Sequence, residues 1–371
     1  MILFLNILFM AIVLGFAGFI SWYVAFRLHS LFGLTSLGVM QAIVAVVMVL
    51  SMVALFAFIM PKDQITGGLN LISGYVILFI FYLFFILGLI HFVQLFYNPA
   101  PMLFGSIAVV IALLIVVTSG VMGSFFTVKE TEIKISGLEQ ELVIMQLSDV
   151  HLGHKTGTKY LQKIVQATNK YNPALVLITG DLIESEMGMQ PDVLAPLSNI
   201  NAPIYFVEGN HDKYAGIEKV TSAIKNLNVN ILHNEIVVTN GIQLIGLAYL
   251  KADEKTFDMH PSDNTNTIKS IMEQMPINKE IPSILMAHSP TGVKYIEPAG
   301  VNVMLAGHTH AGQIFPFSLF AKLHFKHYKG LYKHGNLQVF ISNGASTFGI
   351  KARIGSLNEI NLIRLVPMET N

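Results

Sequence analysis

The sequence predicts a four-helix membrane domain followed by a mixed α/β domain. Two observations support this: only Arg27, Lys62 and Asp63 of the 46 charged residues precede residue 127, and the apolar segments are long before that point and short after it. A chain of 371 residues is also long enough for two domains. We therefore expect a membrane domain in residues 1–126 and a second domain in 127–371.

Four long apolar segments occupy residues 3–26, 38–60, 72–96 and 103–124. Each has close to the ~20 residues that a helix needs to cross a bilayer. The polar stretches 27–36, 61–70 and 97–101 between them are predicted to be loops. A cleavable signal peptide is an alternative interpretation of the first segment, but it has no basic start, and three further apolar segments would still need burial.

One ionisable residue, His91, falls within the third apolar segment. Ionisable groups in the bilayer often have functional roles. Packing near a helix end is the simpler interpretation of His91, and we favour it.

The few charges near the predicted helices bear on membrane orientation. With four crossings, Lys62, Lys129 and Lys134 fall on one side and Arg27 on the other. Positive residues accumulate on the cytoplasmic side of membranes. The pattern thus favours a cytoplasmic location for residues 127–371 in a multi-pass cell-membrane protein.

Composition excludes some classes of function. The formal net charge is zero, so the chain has no overall basic field to attract nucleic acid, and we expect no nucleic-acid partner. Cysteine is absent, which excludes disulfides and thiolate metal sites. Any metal must be held by His, Asp, Glu or Asn.

Residues 127–371 contain short apolar segments that are typical of strands, separated by amphipathic segments that are typical of helices. The predicted strands are 142–147, 175–179, 204–207, 243–247, 283–287, 301–306, 338–342 and 359–365. The predicted helices are 158–171, 193–199, 217–227, 267–275 and 291–296. No internal repeat is visible. The polar stretch 251–266 is interpreted as a surface loop rather than a flap over substrate.

Candidate metal ligands follow five of the predicted strands directly, at the ends where α/β folds commonly bind ligands. The five blocks are Ser148-Asp149-Val150-His151, Gly180-Asp181, Glu208-Gly209-Asn210-His211-Asp212, His288 and Gly307-His308-Thr309-His310. Carboxylate, amide and imidazole donors suit Mn, Fe, Zn or Mg. Glycine precedes Asp181, Asn210 and His308, where we expect the backbone to turn sharply. Each block alone is ordinary in a loop, whereas all five together favour a metal site.

These blocks resemble the calcineurin-like metallophosphoesterase superfamily, whose ordered motifs are D-x-H, G-D, G-N-H-D or E, a lone H, and G-H-x-H. The resemblance covers about residues 140–366, and residues 306–313 are similar to the bacterial membrane-associated branch, with Ala311 where that branch often has glycine. It implies a two-sheet β-sandwich flanked by helices.

The resemblance also implies seven ligands for two divalent metal ions. It assigns Asp149, His151 and His310 to the first metal, Asn210, His288 and His308 to the second, and Asp181 as the bridge. His211 would lie near the scissile phosphate and stabilise charge or protonate the leaving oxygen. Asp212 would orient the His211 ring.

The expected reaction is phosphoester hydrolysis. Two cations about 3.5–4 Å apart can lower the pKa of a shared water and produce a hydroxide that attacks phosphorus without a protein nucleophile. Consistent with this, the chain has no cysteine, no G-x-S-x-G motif and no Walker phosphate loop.

Other residues near the motifs have less defined roles. His154 is interpreted either as a substrate or supporting contact or as a surface residue. Residues 342–349, followed by Lys351 and Arg353, resemble a loop that closes the family's site, where small residues admit substrate and cations contact phosphate. A substrate role for Arg353 is considered but is not the favoured interpretation.

Membrane tethering favours a lipid-linked or membrane-proximal phosphoester as substrate. One alternative is a phosphodiesterase or phosphomonoesterase that acts on soluble substrates, with the helices only as an anchor. Another is a non-catalytic membrane receptor for a phosphorylated ligand. Retention of all seven predicted ligands and His211 favours an enzyme, and the absence of paired intramembrane charges argues against transport.

Overall fold

The computed structural model describes residues 2–33, 35–57, 63–97, 100–256 and 266–368. Lys62 and most of the predicted loop 251–266 lie outside these residues. The chain divides into two compact units, one formed by residues up to Val121 and the other mainly by Met122–Asn371.

Four helices form the first unit: α1 (Ile2–Phe32), α2 (Leu37–Ala57), α3 (Gln64–Gln94) and α4 (Pro101–Met122). All four contain a stretch long and apolar enough to cross a membrane. The predicted third helix began too late, because Gly67 and Gly68 lie within α3 and not in a loop. Gly67 is buried within this helix.

The first unit has its own core. Small residues at the centre, Ala25, Ala108 and Ala112, are fully buried and allow the helices to approach closely. His91 lies one turn before the end of α3, where its Nδ1 is 3.1 Å from the Tyr23 hydroxyl. This contact agrees with the favoured interpretation of His91 as a packed residue near a helix end.

The second unit contains two six-stranded mixed sheets. The first sheet has the order β1-β12-β2-β3-β4-β5, in which β2 to β5 run parallel. Its strands are β1 (Phe126–Ile135), β2 (Leu142–Leu147), β3 (Leu175–Thr179), β4 (Ile204–Val207), β5 (Val229–Ile231) and β12 (Asn358–Pro367).

The second sheet has the order β10-β11-β9-β8-β7-β6, with β7, β8, β9 and β11 parallel. Its strands are β6 (Glu235–Thr239), β7 (Ile242–Gly246), β8 (Ser283–Met286), β9 (Val303–Ala306), β10 (Gly330–His334) and β11 (Leu337–Ile341).

Short helices connect these strands. They are α5 (Thr158–Lys170), α6 (Pro191–Leu194), α7 (Asn210–Ala215), α8 (Ile217–Ile224), α9 (Ile268–Gln274), α10 (Val293–Ile296) and α11 (Phe317–His324). Single 3₁₀ turns cover Glu186–Met189, Ala195–Asn199, Lys225–Leu227 and His310–Gly312.

Alternate residues of the central strands enter different cores, because neighbouring side chains in a strand point to opposite faces. In β3, Leu175 and Leu177 pack between the two sheets, whereas Val176 and Ile178 pack against α5 and α8. The outer face of the second sheet packs against α9 and α10. The second unit is therefore a two-sheet sandwich flanked by helices, which confirms the predicted fold class.

Candidate metal centre

The predicted ligands are brought to one place by the parallel strands of both sheets. Asp149 and His151 follow β2, Asp181 follows β3, and Asn210 begins α7 just after β4. In the second sheet, His288 follows β8, and His308 and His310 follow β9. Because these strands are parallel within each sheet, their carboxyl ends lie at a common edge.

Three of the ligands form a buried cluster. His310 Nε2 lies 3.1 Å from Asp149 Oδ1 and 3.1 Å from His151 Nε2. All three side chains are at most 2% exposed. One ligand atom from each falls within 4.8 Å of the others, so the three can hold one cation.

A second cluster adjoins the first through Asp181. Its Oδ2 lies 3.1 Å from His288 Nε2 and 3.7 Å from His151 Nε2, so one carboxylate reaches both clusters. His308 Nδ1 lies 3.2 Å from His288 Nε2. This is the arrangement expected of a carboxylate between two cations.

Asn210 supplies a test of whether the residues fit a metal. Its Oδ1 is buried and has no hydrogen-bond partner among the described residues. Such an atom is costly to leave without a partner, and an amide oxygen is a suitable ligand for a hard or borderline cation. The donor set of oxygen and imidazole nitrogen therefore fits a pair of divalent ions.

The backbone of the site is strained. Five predicted ligands have left-handed φ angles: Asp149, His151, Asp181, His308 and His310. Each such residue costs about 1–3 kcal/mol and persists only where neighbouring structure fixes it. Here the backbone N–H of Asp149 donates to Gly180 O and that of His151 to Asp181 O, which locks the two loops together.

The glycines before the ligands have two different roles. Gly180 has a φ of +83°, which agrees with the predicted sharp turn. Gly209 and Gly307 do not have a positive φ. Glycine is needed at these two positions because there is no room for a Cβ atom. A Cβ atom at Gly209 would lie 2.1 Å from Asp181 Oδ1, and one at Gly307 would lie 2.2 Å from Asp149 Oδ2.

The clustered charges shift the pKa values of the site. Burial alone would raise the pKa of Asp181, but His288 and His211 lower it well below its usual range. Burial would lower the pKa of His288, but Asp181 and Asp149 raise it to about 9. Asp149 likewise keeps a lowered pKa, since His310 outweighs its burial. Both carboxylates are ionised at neutral pH, as ligands of cations must be.

His211 lies at the edge of this site, with its ring centroid 4.7 Å from that of His151. Its backbone N–H donates to Asp181 Oδ1 at 2.8 Å, whereas its Nδ1 is buried without a hydrogen-bond partner among the described residues. The expected orientation of this ring by Asp212 is therefore not observed.

Asp212 instead fixes the backbone. Its Oδ1 accepts from the N–H of Ile183 and its Oδ2 from the N–H of Gly209, both at 2.9 Å. It is fully buried, and burial together with the Asp181 charge raises its pKa to about 7. Asp212 thus ties the loops after β3 and β4 together.

The sequence interpretation missed Glu184. This carboxylate is 3% exposed, and its Oε1 accepts from Lys155 Nζ at 2.7 Å. One of its oxygens also lies within 4.8 Å of ligand atoms of His151 and His211. Its place three residues after Asp181 was the available signal, but an isolated Glu in a loop looks like an ordinary solvated charge.

The Arg353 side chain bonds to backbone groups and is not exposed for a phosphate contact. Its guanidinium is fully buried and donates to the backbone oxygens of His310, Asn343 and Ser346 at 2.6–2.8 Å. Burial lowers its pKa to about 10, while Asp149 acts in the opposite direction. Arg353 therefore serves the fold by holding the loop after β11 against the segment that carries His310.

His154 is not an ordinary surface residue, because both ring nitrogens are buried and without a hydrogen-bond partner among the described residues. Burial, with Lys155 and Lys351 nearby, lowers its pKa to about 3. The ring is therefore neutral.

The site opens into a cavity of about 510 Å³. Asp181, Asn210, His211, His308 and His310 lie on one part of its wall. Much of the remainder is apolar and includes Ile314, Phe317, Ala321, Phe325, Phe348 and Ile350. The cavity therefore places an apolar surface beside the predicted metal ligands.

Comparison with known proteins finds similar sequences among the phosphoesterases. Residues 142–312 match the family model of the calcineurin-like phosphoesterases. An uncharacterized metallophosphoesterase of Helicobacter pylori is 37% identical over 244 residues, which cover 65% of this chain and 64% of that protein. A zebrafish (Danio rerio) transmembrane protein with metallophosphoesterase domain is 32% identical over 254 residues, which cover 64% and 57%.

Phosphodiesterase YaeI of Escherichia coli is 26% identical over 239 residues, which cover 60% of this chain and 82% of that protein. The chain thus spans less than two thirds of the length of the H. pylori and zebrafish proteins.

Proposed function

We propose that this chain, whose residues 142–312 form a calcineurin-like phosphoesterase domain, hydrolyses phosphoesters with two divalent metal ions. We also propose that residues 127–371 form the catalytic domain and residues 1–126 anchor it in the membrane. The observation that carries the proposal is the position of Asp181, whose carboxylate reaches His288 on one side and His151 on the other.

The proposed ligands are the seven predicted from the sequence. Asp149, His151 and His310 would hold one ion, Asn210, His288 and His308 the other, and Asp181 both. When bound, such ions polarise phosphoryl oxygens and make water a stronger acid. Mn, Fe, Zn and Mg are all compatible with these donors.

The residues around the ligands would handle the substrate and its proton. The His211 imidazole lies on the cavity wall, where it is placed to stabilise charge on the phosphoryl group or to give a proton to the leaving oxygen. Phe348 packs near both His211 and His310, with ring centroids 6.4 and 5.0 Å away, and would exclude water from that side. Asp212 would position His211 only through the backbone.

A lipid-linked or membrane-proximal phosphoester is the proposed substrate. The four apolar helices support this, because a tethered site meets membrane substrates at a high effective concentration. The apolar part of the cavity wall supports it as well. We further propose a cytoplasmic location for the catalytic domain, from Lys129 and Lys134 just after the last helix.

The test is hydrolysis of a chromogenic phosphodiester by the purified full chain with Mn²⁺. Asp181→Ala and His211→Ala should each lower kcat, the second by about 10²–10⁴ if His211 acts as a general acid. His233→Ala is the matched control, because its side chain is 64% exposed in the same unit. Equal rates for all four proteins would show that the site is assigned wrongly. Binding of the diester without turnover would instead indicate a receptor.

A further inference from the structure

The helix α11 carries a group of exposed apolar side chains, here called the outer α11 surface. Exposed fractions reach 64% for Phe320 and 84% for Leu323. The surface consists of Leu319, Phe320 and Leu323 on the helix and Phe315 just before it. Contiguous apolar groups of this kind usually mark a binding site for a protein or a membrane.

The two sides of α11 face different surroundings. Phe317, Ala321 and Phe325 are spaced four residues apart and line the cavity of the candidate metal centre. Leu319 and Leu323, also four apart, are exposed to solvent. The helix therefore separates the cavity from the outer α11 surface. A partner that binds the outer α11 surface will lie close to the mouth of the cavity.

The charges around α11 identify the chemistry of this partner. Between Pro298 and Asn358 the sequence has no Asp or Glu but five Lys and one Arg, although basic and acidic residues balance over the whole chain. Lys322, Lys326, Lys329 and Lys333 are exposed. Leucine and phenylalanine combined with lysine are typical of segments that lie in the headgroup region of an anionic bilayer without crossing it.

The presence of the first unit favours a bilayer over a protein as the partner of the outer α11 surface. Its four helices are long and apolar enough to hold the chain in a membrane, so the second unit would be tethered to a bilayer. A weak lipid-binding surface is sufficient under such conditions, because the tether supplies the effective concentration.

We propose that the outer α11 surface inserts into the headgroup region of an anionic bilayer, with its lysines on lipid phosphates, and so brings the mouth of the cavity to the lipid surface. The proposal concerns where α11 lies and does not depend on the phosphoesterase activity.

Spin labelling can test this directly, because the chain has no cysteine to remove. Leu323→Cys would carry a nitroxide label on the outer α11 surface. Val238→Cys is the matched control, because Val238 is an apolar residue, 64% exposed, on strand β6 of the same unit. The full-length variants are placed in nanodiscs of phosphatidylglycerol and phosphatidylcholine, or of phosphatidylcholine alone.

In the anionic discs, the label at Leu323 should become more accessible to oxygen and less accessible to a water-soluble nickel chelate than the label at Val238. Lys322→Gln combined with Lys326→Gln should reduce this difference. Unchanged thermal unfolding of the labelled variants would show that they remain folded.

Two outcomes would overturn the proposal. One is equal nickel accessibility at Leu323 and Val238 in the anionic discs. The other is protection of Leu323 from both reagents in detergent without lipid, increasing with protein concentration, which would show that a second copy of the chain covers the surface.

Discussion

At the scale of single residues, the site depends on glycines that leave room for neighbouring ligands. Gly209 lies beside the Asp181 carboxylate so closely that a methyl group would overlap its Oδ1. Asp181 contacts both ligand clusters, so any displacement of its carboxylate will change its distances to His151 and His288. Gly209 is therefore as necessary to the proposed site as a ligand.

Gly209→Ala should consequently lower the metal content of the purified protein and destabilise it by about 1–3 kcal/mol, as overpacking generally does. Metal analysis and thermal unfolding measure the two effects. Gly157→Ala is the matched control, since no atom lies within 4 Å of the added methyl group. Full metal content in Gly209→Ala would contradict the close packing described around Asp181.

The sequence indicates which residues are candidate ligands more readily than it indicates which contacts the neighbouring side chains make. The seven predicted ligands could be selected because their types and order are readable in the chain, and all seven follow the carboxyl ends of parallel strands. The contacts of Asp212 and Arg353 were not readable, because both bind backbone groups from loops distant in sequence. Such contacts depend on the tertiary arrangement of the loops, which cannot be predicted from a local sequence pattern.

At the scale of elements, strands buried on both faces were predicted to the residue. Leu142–Leu147, Leu175–Thr179 and Ile204–Val207 are continuous apolar runs because a core lies on each side of their sheet. The four strands at the sheet edges, β1, β5, β6 and β10, were missed. None of them is buried along its whole length, and β1 pairs with β12 more than 200 residues away, so their existence depends on a tertiary partner.

Arg353 joins two of these elements. Its guanidinium bonds the segment of His310, after β9, to the loop of Asn343 and Ser346, after β11. Arg353→Met should leave buried carbonyl oxygens without donors, and we expect a loss of about 3 kcal/mol in the free energy of unfolding. Arg353→Lys should recover little, because an ammonium group cannot reproduce the fork of the guanidinium.

Denaturant unfolding of the full chain in detergent would measure this loss. Arg364→Met is the matched control, because Arg364 pairs with Glu130 and Glu141 at the exposed surface. Its replacement should change the unfolding midpoint little. Equal midpoints for the two variants would show that Arg353 does not fasten the loops.

At the scale of the whole molecule, the proposed metal pair would connect the two sheets. Asp149, Asp181 and Asn210 come from the first sheet, and His288, His308 and His310 from the second. In the unfolded chain these residues are spread over positions 149–310, so the complete site exists only in the folded state. Ions that bind only the folded state stabilise all of it, by about 2.7 kcal/mol at a concentration 100 times Kd.

Removal of metal with EDTA should therefore lower the unfolding temperature of the full chain in detergent, and added Mn²⁺ should restore it in proportion to the logarithm of its concentration. Five of the predicted ligands have a strained backbone, which destabilises the metal-free site. Bound ions would hold these residues in the conformation that their φ angles require. Asp181→Ala removes the ligand that reaches both clusters, and its unfolding temperature should respond little to either reagent. Wild-type protein that unfolds at one temperature under all of these conditions would show that the two sheets meet without help from metal.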